Sequence, residues 1–314
     1  MSTLSVNKIH HGRSEDLLEH VEKNSIALSF WSPPYFVGKE YERDETFESW
    51  QIMLRKVIHH HSKILKPGGY LVINIADIRV FKDEFIPRFQ AMNLSMHKSK
   101  VTREMVIEAK AKYPNYNRNE LADYLGCSEQ TIDRRLNGNN IRGGKHEVQS
   151  RVNLVGGPLQ QYGMECGIYI YDHRIWVKDP AWANCKWTSN SLKSVDEYED
   201  LYVFWKPGPQ VIDRTKLAPS EWKEWGMRAV WYINSVRSND NHEAKFPLEL
   251  ASRVVRLYTD PGDIVLDPFM GSGTTAIASI MSDRSFIGIE KEEKYVDLAT
   301  AQIEKYKSQL TLDV

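Results

Sequence analysis

The chain has 314 residues, of which 41% are hydrophobic and 26% charged, with a formal net charge of −1. That is enough for one large α/β domain or two smaller ones in a globular protein of ordinary composition. No apolar run reaches the length of a membrane span, the N-terminus lacks the apolar core of a signal peptide, and Cys127, Cys166 and Cys185 stand singly, so the expectation is a cytoplasmic protein with reduced thiols and no membrane partner.

Residues 25–31, SIALSFW, read as a short buried strand. The strand runs into Ser32, Pro33, Pro34 and Tyr35. Paired prolines fix φ and donate no backbone N–H, so taken alone this stretch reads as a rigid loop. FESWQIMLRKVIHHHSKIL (47–65) carries apolar residues at helical spacing and stops at KPGG. Its His59, His60 and His61 stand about 100° apart around a helix and cannot converge on one metal ion, so they read as surface or packing residues. YLVINIA (70–76) reads as a second buried strand and FIPRFQAM (85–92) as a helix.

The middle of the chain is different. Residues 97–145 hold ten Lys/Arg against six Asp/Glu, a basic island in a neutral protein and a hint of phosphate contact. Within it, RNELADYLGCSEQTIDRRLNG reads as a helix over about 118–125, a turn at Gly126, and a second helix capped by Ser128 that ends near Asn137. That is helix–turn–helix grammar, in which the second helix can enter a DNA major groove; Gln130, Thr131, Arg134 and Arg135 would point outward from it. Residues 139–163 read as a glycine-containing connector. CGIYIYDHRIWVK and DLYVFWK read as strands, and 207–228 as an irregular segment with Trp222 and Trp225. Most of the tryptophans, Trp176, Trp205 and Trp231 among them, read as core or interface residues, and those near 182–187 or 222–225 as candidate DNA contacts.

The last third alternates again. FPLELASRVVRLY is a helix with Pro247 at its first turn, DIVLDPF a strand, TTAIASIMS a helix, SFIGIE a strand and EKYVDLATAQIEKY a final helix before a frayed tail over 305–314. Alternating strands and helices predict a parallel, doubly wound sheet. In VLDPFMGSGTTAIA, Asp267 ends a strand, and Gly271 and Gly273 let the backbone approach a ligand ahead of a helix whose N-terminus favours an anionic group. Glu290 ends the next strand 23 residues after Asp267, where an acid can hydrogen-bond ribose hydroxyls. A full dinucleotide fingerprint is missing, so a nucleoside with a small charged tail suits the site better than a nicotinamide cofactor.

SPPY followed later by DPFMGSGTT and IGIE resembles the β-class amino DNA methyltransferases, in which the catalytic motif precedes the S-adenosyl-L-methionine motif. The resemblance covers about 5–96 and 164–308, with the basic helices as an insertion. It implies an α/β, doubly wound, Rossmann-like sheet with circularly permuted motif order. The implied organisation is a catalytic half over 1–96, an inserted helical DNA-recognition segment over 97–150, core strands over 151–206, an irregular segment over 207–235 open to target recognition, and a cofactor half over 236–314. The cofactor is then S-adenosyl-L-methionine, held by Asp267, Pro268, Phe269, Gly271, Gly273, Thr274 and Glu290, with Phe246 and Pro247 near its methionine end. Double-stranded DNA is the implied partner, and the family admits a cognate restriction endonuclease and a homodimer.

The resemblance also gives SPPY a purpose. A base amine is a poor nucleophile because its lone pair is delocalised; acceptors aimed at its hydrogens orient it and stabilise developing positive charge. Ser32 Oγ and the Pro33 carbonyl are those acceptors, Pro34 stiffens the loop, and Tyr35 offers a ring for a base flipped out of the duplex. Serine in the first position accompanies N4-cytosine methylation in this family, with N6-adenine as the alternative; C5 chemistry would need a thiolate in a Pro-Cys loop. One departure stands out: the acidic residue the family carries after the N-terminal glycine is Arg13 here, and whether Asp16 replaces it stays open. Two other classes fit less well. RNA or protein methylation sits poorly with a groove-reading helix pair, and a DNA-binding regulator with an inactive core sits poorly with intact motifs.

Overall fold

A computed structural model of the protein describes residues 3–34, 46–80, 99–137, 151–180, 193–236 and 246–312. Tyr35, the helix expected at 85–92, Trp182, Trp187 and Cys185 lie outside the described residues. The chain divides into two units, one made of 1–78, 153–180 and 197–314, the other of 79–152 and 181–196.

The first unit is built on an eight-stranded sheet. Its strands are β1 (Lys8–His11), β2 (Ile26–Trp31), β3 (Leu65–Ile75), β6 (Tyr169–Val177), β7 (Tyr198–Trp205), β8 (Val230–Tyr232), β9 (Ile264–Asp267) and β10 (Ser285–Glu290), in the order β1-β10-β9-β2-β3-β7-β6-β8. A separate pair, β4 (Ile78–Val80) and β5 (Arg151–Asn153), forms a two-stranded sheet. The stretch β1-β10-β9-β2-β3 is parallel throughout, and β8 is parallel to β6. The expectation of a wholly parallel sheet needs correction at β7, which runs antiparallel to both β3 and β6. Helices α1 (Ser14–Leu17), α2 (Phe47–Ile64), α6 (Gly156–Cys166), α7 (Pro219–Glu221), α8 (Leu248–Tyr258), α9 (Thr274–Ile280) and α10 (Glu293–Leu312) complete the unit.

The central strands bury both faces, so their side chains divide by alternation. Trp31, Leu71, Ile73 and Ile75 pack under α2 in one core, while Phe30, Leu28, Val72 and Val203 join α8, Trp225 and Trp231 in the other. Helix α2 starts at Thr46, where a reciprocal capping box with Ser49 satisfies two backbone donors. Its buried stripe is Trp50, Leu54, Val57, Ile58, His61 and Ile64. Two further corrections apply. Residues 156–166 form a helix although 139–163 reads as connector, and Gly163 permits its close approach to Phe204: a Cβ there would lie 2.8 Å from the Phe204 ring. The final helix continues to Leu312 instead of fraying from 305.

The second unit holds α3 (Arg103–Lys112), α4 (Arg118–Leu125) and α5 (Glu129–Asn137) around Val101, Val106, Ala109, Leu121, Ala122 and Ile132. Asn117 and Glu120 cap α4 reciprocally, Gly126 ends it at φ 61°, and the Ser128 hydroxyl accepts from Thr131 N at the start of α5. No helix among the described residues is long and apolar enough to cross a membrane.

Of the three consecutive histidines, His59 meets Glu165 at 3.3 Å and His61 lies fully buried. His61 Nδ1 donates to the Val57 carbonyl at 2.7 Å, which leaves Nε2 to accept from Ser29 Oγ at 2.8 Å. Burial pulls its pKa down from 6.5 to about 4, so the ring is neutral. Because the folded value lies below the unfolded one, this histidine's contribution to stability is complete above about pH 6.5 and is lost as pH falls towards 4. His61→Gln keeps an acceptor for Ser29 and removes the titration. The urea midpoint of the wild type should therefore fall relative to that of the variant between pH 6.5 and 4; parallel midpoints would show that His61 does not titrate across this range.

Candidate active site

The site forms where the sheet changes winding direction. From β2 the chain passes through α2 to β3 on one side, and from β9 through α9 to β10 on the other, so the crevice lies beyond the carboxyl ends of β2 and β9, the usual ligand position in such sheets. Residues 32–34 leave β2 and residues 268–273 leave β9, so the two motifs, more than 230 residues apart in sequence, emerge side by side. Trp31 meets Phe269 edge-on at 5.2 Å, and Phe30 meets Phe246 at 4.9 Å. Strand β2 thus packs against Phe269 on one face and Phe246 on the other.

Ser32 is half-buried, and its Oγ lies 2.7 Å from the backbone carbonyl of Asn74, the next-to-last residue of β3. A carbonyl only accepts, so Ser32 donates its one proton there and meets any further donor as an acceptor. The Pro34 carbonyl is taken by Trp50 Nε1 at 2.7 Å, which pins the loop to the first turn of α2. Pro33 is buried. Behind Ser32, Asn74 Nδ2 lies 3.4 Å from Ser32 Oγ and 2.6 Å from Glu199 Oε2, and Lys178 Nζ pairs with Glu199 Oε1. Next to them Asp200 bonds His173 at 2.8 Å; burial raises the Asp200 carboxyl above the usual range against the lowering effect of that histidine.

On the β9 side, Asp267 is fully buried and accepts from Phe269 N at 2.9 Å. Burial, with the neighbouring Glu290 charge, raises its pKa to about 7. Gly271 and Gly273 both have positive φ, 52° and 87°, and a Cβ at Gly273 would meet the Ala299 side chain at 3.1 Å. Thr274 opens α9, and Ser272 Oγ lies 3.4 Å from Thr274 Oγ1. Since α9 has only seven residues, the glycines and the two carboxylates define this half of the site more than a helix terminus does. Glu290 Oε2 accepts from Gly271 N and Oε1 from Glu292 N, both at 2.9 Å. Ser14 Oγ donates to the Pro268 carbonyl and Gly12 N to the Glu290 carbonyl, tying the N-terminal turn to both carboxylate strands. At the position after Gly12, Arg13 pairs with Glu15 at 2.7 Å, and Asp16 is exposed.

In α5, Gln130 is exposed, and Thr131 and Arg134 are half-exposed. Arg135 is different: its Nε donates to the Val101 carbonyl at 2.9 Å, so it helps close the helical unit. It remains half-exposed, as Arg134 does. Sequence reasoning missed Asn74, Glu199, Lys178, Trp50 and Ser14. A polar residue inside YLVINIA and an acidic pair opening YEDLYVFW were the available signals for the first two, because buried polar groups need partners.

A family model described as DNA methylase, of the N6/N4 type, matches residues 26–301. Type II methyltransferase M.BglI of Bacillus subtilis is 55% identical over 305 residues, covering 97% of this chain and 88% of that protein. The chain belongs to this DNA methylase family. Type II methyltransferase M.Cfr9I of Citrobacter freundii is 42% identical over 328 residues, covering 96% and 94%. Two solved structures share the fold. One is a Thermus thermophilus protein in complex with S-adenosyl-L-methionine, with a TM-score of 0.62 at 23% identity and coverage of 96% and 94%. The other is the cytosine-N4-specific PvuII DNA methyltransferase, with a TM-score of 0.62 at 17% identity and coverage of 95% and 86%.

The methylase is thus a β-class amino DNA methyltransferase whose cofactor is S-adenosyl-L-methionine, and the chemistry of its glycine turn fits that cofactor. Each Glu290 oxygen spends one acceptor site on a backbone N–H, leaving capacity for a pair of ribose hydroxyls. Asp267 stands beside the turn as a second, titratable acceptor. Charge-assisted hydrogen bonds of this kind contribute about 1.5–3 kcal/mol each. Glu290→Ala should accordingly weaken S-adenosyl-L-methionine binding by about 10–100-fold in calorimetry; an unchanged Kd would remove Glu290 from the site.

Proposed function

We propose that this methylase transfers a methyl group to the exocyclic N4 amine of cytosine within a specific duplex DNA sequence. The observation that carries the reading is Ser32, a hydroxyl whose proton is committed to the Asn74 carbonyl, standing beside the cofactor turn at the crevice of the sheet. Such a hydroxyl can take a hydrogen bond from an amine and cannot give one, which is the polarity an aromatic amine needs when its nitrogen must become nucleophilic. The Pro33 carbonyl serves as the second acceptor. Trp50 and Pro34 hold the loop so that these oxygens do not have to be organised during the reaction. Bound at the glycine turn, S-adenosyl-L-methionine supplies an electrophilic methyl group on a sulfonium sulfur. Serine in the first motif position supports cytosine over adenine, since the resemblance usually ties serine there to N4 chemistry and aspartate or asparagine to N6.

The target base has to leave the duplex to reach such a crevice, at a cost of a few kcal/mol in stacking and pairing. The helix–turn–helix of α4 and α5, with Gln130 exposed and Arg134 half-exposed, supports groove reading by the second unit. The Type II designation of its relatives supports a place in a restriction–modification pair.

The test is direct. Protein incubated with S-adenosyl-L-methionine carrying a tritiated methyl group and a mixed-sequence duplex should, after digestion to nucleosides, place label in N4-methyldeoxycytidine. Label in N6-methyldeoxyadenosine would overturn the base assignment. Ser32→Ala should slow single-turnover methyl transfer by about 100-fold or more and leave the cofactor Kd within about twofold of wild type.

A further inference from the structure

The hydrogen-bond chain behind Ser32 joins four side chains drawn from four separate places in the sequence. Ser32 follows β2, Asn74 lies in β3, Glu199 is the second residue of β7, and Lys178 follows β6. They meet because β7 runs antiparallel to β3, which brings its first residues to the edge where β3 ends: Ile75 is registered against Asp200 and Asn74 against Leu201. Asn74 and Glu199 are buried.

We propose that Glu199, clamped by Lys178, is a positioning residue that fixes the Asn74 carboxamide and, through it, the Ser32 hydroxyl. A carboxylate only accepts, so with Glu199 Oε2 at 2.6 Å the carboxamide must present its NH2 group on that side. The same NH2 then reaches Ser32 Oγ at 3.4 Å, while the Asn74 backbone takes the Ser32 proton at 2.7 Å. Asn74 therefore holds the serine from two directions, and Glu199 decides which end of the amide does so. The orientation has a visible cost: Asn74 Oδ1 is buried without a hydrogen-bond partner among the described residues. A buried Lys–Glu pair is weak support for stability in itself. Lys178 and Glu199 instead supply a fixed charge that keeps the amide from turning over.

This inference rests on the reading of Ser32 as the amine's acceptor, and the experiment separates the two. Glu199→Gln keeps the shape, but its one oxygen can serve Asn74 or Lys178 and not both. Single-turnover methyl transfer is measured for wild type, S32A, E199Q and the double variant, with the cofactor Kd recorded for each. E199Q should slow transfer by about 10–100-fold in the wild-type background with an unchanged Kd, and should leave the rate of S32A unchanged, because a residue acting through Ser32 has nothing left to position. Equal slowing in both backgrounds, or no slowing in the wild type, overturns the positioning role while the Ser32 assignment stands. A wild-type rate in S32A overturns both. If E199Q does not bind cofactor, Asn74→Ala takes its place in the cycle with the same expected pattern.

Discussion

Strands β2 and β9 lie side by side and parallel, and from them the chain winds away in opposite directions, through α2 on one side and α9 on the other. Two segments distant in sequence are thereby forced to leave the sheet at the same edge. Neither half of the site is complete without the other. In the proposed reading the SPP loop supplies the acceptors for the amine and the glycine turn supplies the carboxylates for the nucleoside of the methyl donor. Their neighbourhood follows from main-chain pairing of β2 with β9 and from Trp31 and Phe30 packing on Phe269 and Phe246. The motif order along the chain is consequently free to permute, provided that both strands keep their places in the sheet.

The antiparallel strand β7 adds what a wholly parallel sheet would lack. Its N-terminal residues arrive at the edge where the parallel strands end, and they bring the acids Glu199 and Asp200 close to Asn74 and Ser32. These acids are buried, and each is met by a basic partner from the β6 side, Lys178 or His173. The polar groups at the crevice are therefore arranged before substrate arrives, which is the condition for electrostatic stabilisation at no reorganisation cost.

Much of this was legible locally. The apolar run at 25–31 and the helical spacing at 47–65 match β2 and α2 to within a residue, because burial imposes periods of two and 3.6 on the sequence. Gly126 and Ser128 mark the helix–turn–helix because a left-handed backbone and an N-cap are one-residue requirements. The failures share a different cause. A strand's own pattern does not record its direction, so the antiparallel run of β7 is not legible in DLYVFWK. Gly163 lets α6 approach Phe204, yet in sequence such a glycine looks the same as one in a flexible connector. Arg135 sits in a charged stretch, and only the fold shows that its guanidinium reaches back to Val101. Asn74 and Glu199, 125 residues apart, meet through sheet topology alone.

In the proposed arrangement one crevice joins the two motifs, with the methyl donor on the β9 side and the amine acceptors on the β2 side. A crystal structure with S-adenosyl-L-methionine bound tests it most directly. Ribose hydroxyls are expected within hydrogen-bond distance of the Glu290 carboxylate, with the sulfonium methyl directed across the edge of the sheet towards Ser32. A ribose held away from Glu290, or a methyl group turned away from Ser32, would contradict it.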